Sequence, residues 1–227
     1  LERLDEAVTC YRKVIELAPT FKDSYHNLGK IYYAFDNYVM SLETFRAYLA
    51  FDPLDEETLL LVGDTCKKLG LWRAAEETYR RIFQTNAQSG DAWQALASLY
   101  LDLGDNERAL ALVELGVRGN PNNRLLRDLQ AGILRDLARF REAAAVYELL
   151  LTGSTNLVDD QRAQYTFLMA DAYQQMGMTF LAIGTLKELL RRWPERQQAI
   201  DYLGSLFSQQ GRWDDALEAF RELEKLE

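Results

Sequence analysis

Residues 93–121 read WQALASLYLDLGDNERALALVELGVRGNP, and the spacing of their small and large apolar residues decides the fold. Trp93, Leu96, Ala97 and Tyr100 stand three and four apart, which places them on one face of a helix. Gly104 follows, a residue that tolerates the positive φ that ends a helix. Ala109 and Val113 then open a second helical stripe, and Pro121 stops it. The stretch is therefore a helical hairpin. Ala97 and Ala109 let the two backbones approach, while Tyr100 and Val113 fill the remaining space.

The same hairpin recurs along the chain. Pro19 and Pro53 lie 34 residues apart, Pro53 and Pro121 twice that, and Pro121 and Pro194 twice that plus five. A 34-residue frame starts at Lys22 and repeats at Glu56, Gly90, Arg124, Ala163 and Gln197. Position 8 of each copy is then Gly29, Gly63, Ala97, Ala131, Ala170 and Gly204. Position 20 is Ser41, Ala75, Ala109, Ala143, Ala182 and Ala216, and position 24 is Phe45, Tyr79, Val113, Tyr147, Leu186 and Phe220. A fixed period of this length marks a repeat array. One apolar stripe is read at positions 4, 7, 8, 11 and 14, and a second at 17, 20, 24 and 27. On this reading the aromatics are core, with Trp72 and Trp213 at position 17 packing between helices.

Two irregularities stand out. In copy four the frame puts Arg127 and Gln130 where apolar residues belong, and moving the first helix back by one gives Leu126, Leu129 and Ile133. One extra residue in the following turn is expected there. The five-residue displacement falls in residues 152–160, whose Gly, Ser, Thr and Asn read as a loop. Residues 1–21 read as the second helix of a repeat whose first helix is missing, and the chain is expected to be a fragment, with Leu226 and Glu227 as a cloning scar. The remaining segments are 22–55, 56–89, 90–123, an irregular 124–162, 163–196 and 197–227. The prediction is thirteen helices, a lone one over 3–18 and six pairs. Apolar stripes left uncovered at the truncated ends, with Leu4, Val8 and Tyr11, would promote self-association.

Composition narrows the function. The chain of 227 residues is 48% apolar and 27% charged, with net charge −9. An acidic chain repels a phosphate backbone, so nucleic acid is not the expected partner. No apolar run is long enough for a membrane span. Cys10, Cys66 and the single His26 offer no metal-ligand spacing, so neither metal nor cofactor is expected. His26 has no nucleophile paired with it by spacing, and no enzyme is expected.

The pattern Trp93, Leu96, Ala97, Tyr100, Ala109, Pro121, with Tyr25, Leu28, Gly29, Tyr32, Phe45 and Pro53 repeating it, resembles the tetratricopeptide repeat family over essentially the whole chain. That resemblance implies an all-α, right-handed superhelix of antiparallel hairpins that binds proteins or peptides in its concave groove. In this family positions 2, 5, 9 and 12 to 13 of each first helix line the groove. Carried over, they give Asp23, His26, Lys30 and Tyr33 in copy one and Glu57, Leu60, Asp64, Lys67 and Lys68 in copy two. Copy three gives Asp91, Gln94, Ser98, Leu101 and Asp102, copy five Gln164, Phe167, Asp171, Gln174 and Gln175, and copy six Gln198, Asp201, Ser205, Ser208 and Gln209. Some relatives clamp a terminal carboxylate with such lysines, but Asp64 opposes that reading beside Lys30. Acids outnumber lysines on this surface, so a partner segment carrying Lys or Arg beside apolar anchors is expected, with Asp64 and Asp171 facing solvent. Two alternatives stand beside it: an architectural section of a bacterial export or assembly machine, and a substrate-recruiting module of a larger enzyme.

Overall fold

The computed structural model describes residues 2–153 and 157–224, with side chains from residue 6 onward. Among the described residues there are thirteen α-helices and no strand. They are α1 (Glu2–Leu17), α2 (Lys22–Ala34), α3 (Tyr38–Leu49), α4 (Glu56–Lys68), α5 (Trp72–Ile82), α6 (Gly90–Asp102) and α7 (Asn106–Gly119). Then follow α8 (Arg124–Asp136), α9 (Phe140–Gly153), α10 (Asp159–Gln175), α11 (Thr179–Arg192), α12 (Gln197–Gln209) and α13 (Trp213–Glu224). The chain divides into two compact units, Leu1–Pro121 and Asn122–Glu227. Within them each first helix packs on its own second helix, and α2, α4, α6, α10 and α12 also pack on the second helix of the preceding repeat.

Local chemistry sets these boundaries. Five of the six first helices begin at the first position of the frame, and in three of them the preceding residue caps the helix: Asp55, Ser89 and Asn123 accept the backbone N–H of Thr58, Ala92 and Leu126 at 2.9, 3.0 and 3.2 Å. Each such cap contributes about 1 kcal/mol. Position 15 turns every hairpin with positive φ, through Gly70, Gly104, Gly177 and Gly211 and also through Asp36 (56°) and Ala138 (57°).

That observation corrects the reading of copy four. Its turn has the same length and the same left-handed residue as the others, so no residue is inserted and the original frame holds. Leu126 and Ile133 sit at positions 3 and 10 and are 0% and 1% exposed, while Ala131 and Leu134 at positions 8 and 11 are equally buried. The first-helix stripe runs deepest at 3, 7, 8, 10 and 11, rather than 4, 7, 8, 11 and 14, because two helices rather than one cover it. The expected packing of Trp72 and Trp213 also fails: they open their helices at the rim and are 38% and 69% exposed. The displaced segment is helical at both of its ends, and Leu157 and Val158 lie between the helices. Thr152 and Gly153 end α9, Asp159 and Asp160 open an α10 four residues longer at its start than the frame, and Leu157 is buried. Ser154, Thr155 and Asn156 lie outside the described residues, as do Leu226 and Glu227.

The hairpin interface works as the small residues imply. Ser41 Oγ donates to the Gly29 carbonyl at 3.0 Å, joining position 20 to position 8. A Cβ placed on Gly29, Gly63 or Gly204 would stand 2.5, 2.2 or 2.7 Å from the position-24 ring of Phe45, Tyr79 or Phe220. Glycine at position 8 is thus the space that an aromatic at position 24 occupies. Where position 8 is Ala97 or Ala170, position 24 is the smaller Val113 or Leu186. Copy four keeps Ala131 with Tyr147, whose ring lies stacked on Tyr165, centroids 5.9 Å apart. Helix α1 lies against α2 with Val8 and Tyr11 half-buried; the side chain of Leu4 is outside the described residues.

Candidate protein-binding face

In the first unit the expected surface residues share one face across α2, α4 and α6, and they are tied to one another. Lys30 Nζ donates to Glu57 Oε1 at 3.0 Å, and His26 Nε2 lies 3.4 Å from the same oxygen. His26 Nδ1 and Thr58 Oγ1 share a hydrogen bond of 2.9 Å, with the imidazole beside the Phe45 and Tyr48 rings. The Lys30 hydrogen bond holds the Glu57 carboxyl below its usual range. Lys67 is half-buried; its Nζ bonds Ser98 Oγ at 3.0 Å and pairs with Asp102 at 2.7 Å. Asp64 accepts the Tyr79 hydroxyl at 2.6 Å. Burial, with the charges of Asp64 and Asp36, raises the Tyr33 hydroxyl, whose ring meets Tyr38 edge-on. Leu60 and Leu101 are half-buried, and Asp23, Asp91, Gln94 and Lys68 are exposed.

In the second unit Arg135 of α8 pairs with Asp171 of α10 at 3.4 Å. Asp171 Oδ1 also accepts Tyr202 Oη at 3.0 Å, and Phe167 packs on the Tyr202 ring with centroids 5.6 Å apart. Burial and then the Asp171 charge push the Tyr202 hydroxyl up to about 12. Gln174 is half-buried, with no hydrogen-bond partner for its Oε1 among the described residues. Ser205 is half-buried and Asp201 is exposed.

One relation orders these contacts. Position 12 of a repeat reaches position 9 of the next, as Lys67 to Ser98 and Arg135 to Asp171, and the Tyr33 hydroxyl feels the charge of Asp64 in the same register. Asp64 and Asp171 therefore do not simply face solvent. Each is a half-buried acceptor of an internal hydrogen bond, so their first role is to join helices. Arg135 and Tyr202 are the partners that sequence reasoning missed. The frame itself puts Arg135 at position 12, and doubt over the register of copy four hid it. Among the described residues no group of His, Cys, Asp and Glu is placed to hold a metal ion, and no helix is long and apolar enough to cross a membrane.

Stacked hairpins with small residues at 8 and 20 and a bonded first-helix face define an all-α helical repeat solenoid. The chain belongs to the tetratricopeptide repeat family: three sequence models of that repeat match residues 1–34, 68–133 and 167–226. Such repeats are protein–protein interaction scaffolds. Among solved structures, the C-terminal part of a TPR repeat-containing protein from Cytophaga hutchinsonii is 14% identical, with TM-score 0.82 over 99% of this chain and 91% of that one. A tetratricopeptide repeat protein from Parabacteroides merdae is 16% identical, with TM-score 0.61 over 98% and 86%. YrrB, described as a TPR protein with an unusual peptide-binding site, is 13% identical, with TM-score 0.61 over 82% and 93%. At these identities the likeness is one of fold. No curated protein matches the sequence.

Proposed function

We propose that this chain binds a protein segment bearing Lys or Arg along the first-helix face. The observation that carries the reading is the charge left over once the internal bonds are counted. Glu57, Asp102 and Asp171 are neutralised by Lys30, Lys67 and Arg135. Among the described residues, the exposed Asp23, Asp91 and Asp201 have no ion-pair partner, against one such lysine, Lys68, and Leu60, Leu101 and Phe167 lie half-buried on the first helices α4, α6 and α10. An uncompensated carboxylate attracts a cation from solution, and a neighbouring apolar side chain supplies the desolvated contact that sets residence time. The peptide-binding site ascribed to YrrB supports the general mode, since that protein shares the fold.

The test is a pull-down with the whole chain, followed by fluorescence anisotropy with the mapped partner segment. Affinity should fall as salt rises through the physiological range, where the Debye length is about 8 Å. The double variant Asp23→Lys, Asp91→Lys should weaken binding several-fold with unchanged helical content, because neither carboxylate holds another element. Equal affinity for the variant, together with insensitivity to salt, would place the partner elsewhere on the molecule.

A further inference from the structure

The second unit carries a pocket lined by Gln164, Phe167 and Gln198, three residues that the resemblance puts in the groove without saying what they receive. It opens on the first-helix face where the N-terminal ends of α10 and α12 meet, and encloses about 270 Å³. Its apolar wall is Phe167 with Leu189, and its rim is Gln164, Gln198, Glu195 and Arg196. Three properties of this lining point to one kind of occupant. The Phe167 ring is held from the side by Tyr202, so the wall is preformed and does not have to be ordered on binding. Gln164 and Gln198 are exposed, and neither side chain makes a hydrogen bond among the described residues. A carboxamide offers a donor and an acceptor together, which matches the N–H and C=O of an extended backbone. The charges at the rim are not equivalent. Arg196 is engaged by Asp160, whereas Glu195 has no ion-pair partner among the described residues. The rim therefore presents negative charge.

We infer that this pocket receives one large apolar side chain, aromatic or branched, from an extended partner segment in which the adjacent residue is Lys or Arg. The apolar group displaces water from Phe167 and Leu189. The two glutamines bond the backbone on either side of it, and the neighbouring cation meets Glu195. This deepens the proposed function by fixing the anchor and its place, and it rests on that reading only for the class of partner.

The experiment is selection of a displayed random nonapeptide library on the whole chain, with enriched peptides synthesised and measured by fluorescence anisotropy. Two variants separate the explanations. Gln198→Trp fills the pocket from its exposed rim without removing core atoms. Glu195→Lys reverses the rim charge. Thermal unfolding of each is followed by circular dichroism to confirm the fold. Enriched peptides should pair an aromatic or branched residue with an adjacent Lys or Arg. They should lose at least tenfold in affinity to Gln198→Trp and several-fold to Glu195→Lys. Peptides that bind the chain but ignore Gln198→Trp, and weaken with Asp23→Lys, Asp91→Lys instead, would overturn the pocket while leaving the proposed face intact. Enrichment of acidic neighbours would overturn the assignment to Glu195. A library that yields no binder would overturn both.

Discussion

Replacing Gly63 by Ala tests the packing of the hairpins directly. The new Cβ would stand 2.2 Å from Tyr79 Cε1, 2.6 Å from Cζ and 2.7 Å from Cδ1. Carbon atoms rest about 3.5–4.0 Å apart, so the ring would have to retreat by more than ~1 Å. Tyr79 is fully buried, and its hydroxyl is fixed to Asp64 at 2.6 Å, so the ring is held at both ends. Overpacking of this kind costs about 1–3 kcal/mol. Against it stands the gain from replacing glycine inside a helix, roughly 1 kcal/mol. Because the ring cannot swing away, the upper part of the first range applies, and the net loss should be about 1–2 kcal/mol. In a chain of this size that lowers Tm by roughly 2–8 °C. Gly204→Ala is the matched control. Its Cβ would meet Phe220, which is 37% exposed on α13 and free to turn outward, so Tm should hold or rise slightly. Adding Tyr79→Leu to Gly63→Ala recreates the Ala170 and Leu186 pair of repeat five, and the two changes together should cost less than their sum. The measurement is thermal unfolding by circular dichroism of Gly63→Ala, Tyr79→Leu, their combination and Gly204→Ala. A Gly63→Ala protein that melts higher than the parent, as helix propensity alone would have it, would refute the reasoning.

Three further outcomes follow from the geometry. Ala138 holds a φ of 57°, so Ala138→Gly should relieve strain of about 1 kcal/mol and raise Tm by a few degrees; a fall in Tm would mean that another contact depends on the methyl group. Trp213→Ser removes a side chain that is 69% exposed and should change stability by less than about 0.5 kcal/mol, as read by urea titration, whereas a core tryptophan would cost several times more. The folded Glu57 carboxyl titrates below its ordinary 4.5, so the contribution of its ion pair is present above pH 4.5 and is lost as pH falls through the folded value. Carbon-detected NMR should show the Glu57 midpoint rising in Lys30→Met; an unmoved midpoint would show that Lys30 does not set it.

The architecture was legible because repetition served as an internal alignment. Six copies agreed on positions 8, 11, 20 and 24, and the frame placed the start of five first helices correctly. What stayed hidden came from contacts between repeats. Periodicity along one helix cannot tell which face meets the preceding hairpin, so the burial of Leu126 and Ile133 looked like a slipped register. A left-handed alanine gives no local sign, so the turn at Ala138 was missed where Gly104 was plain. The first-helix face was found through the family, but its bonding was not. Arg135 and Asp171 are 36 residues apart, and only folding brings them to 3.4 Å. The exposed tryptophans were misread because aromatic residues were assigned to the core by position alone.

The two kinds of contact between helices obey different grammars. The match between position 8 and position 24 is closed within one hairpin, so a hairpin carries that rule with it when it is copied or moved. The reach from position 12 to position 9 is agreed between neighbours and belongs to neither. A gene that duplicates one repeat inherits a sound hairpin at once, but it juxtaposes two faces that never met. Doubling repeat two, for instance, would set Lys67 against a second copy of Asp64 rather than against Ser98, exchanging a neutral neighbour for a charged one. Doubling repeat one would set Tyr33 against Lys30, with no carboxylate between them. Growth of such an array is therefore limited by the seams rather than by the pieces.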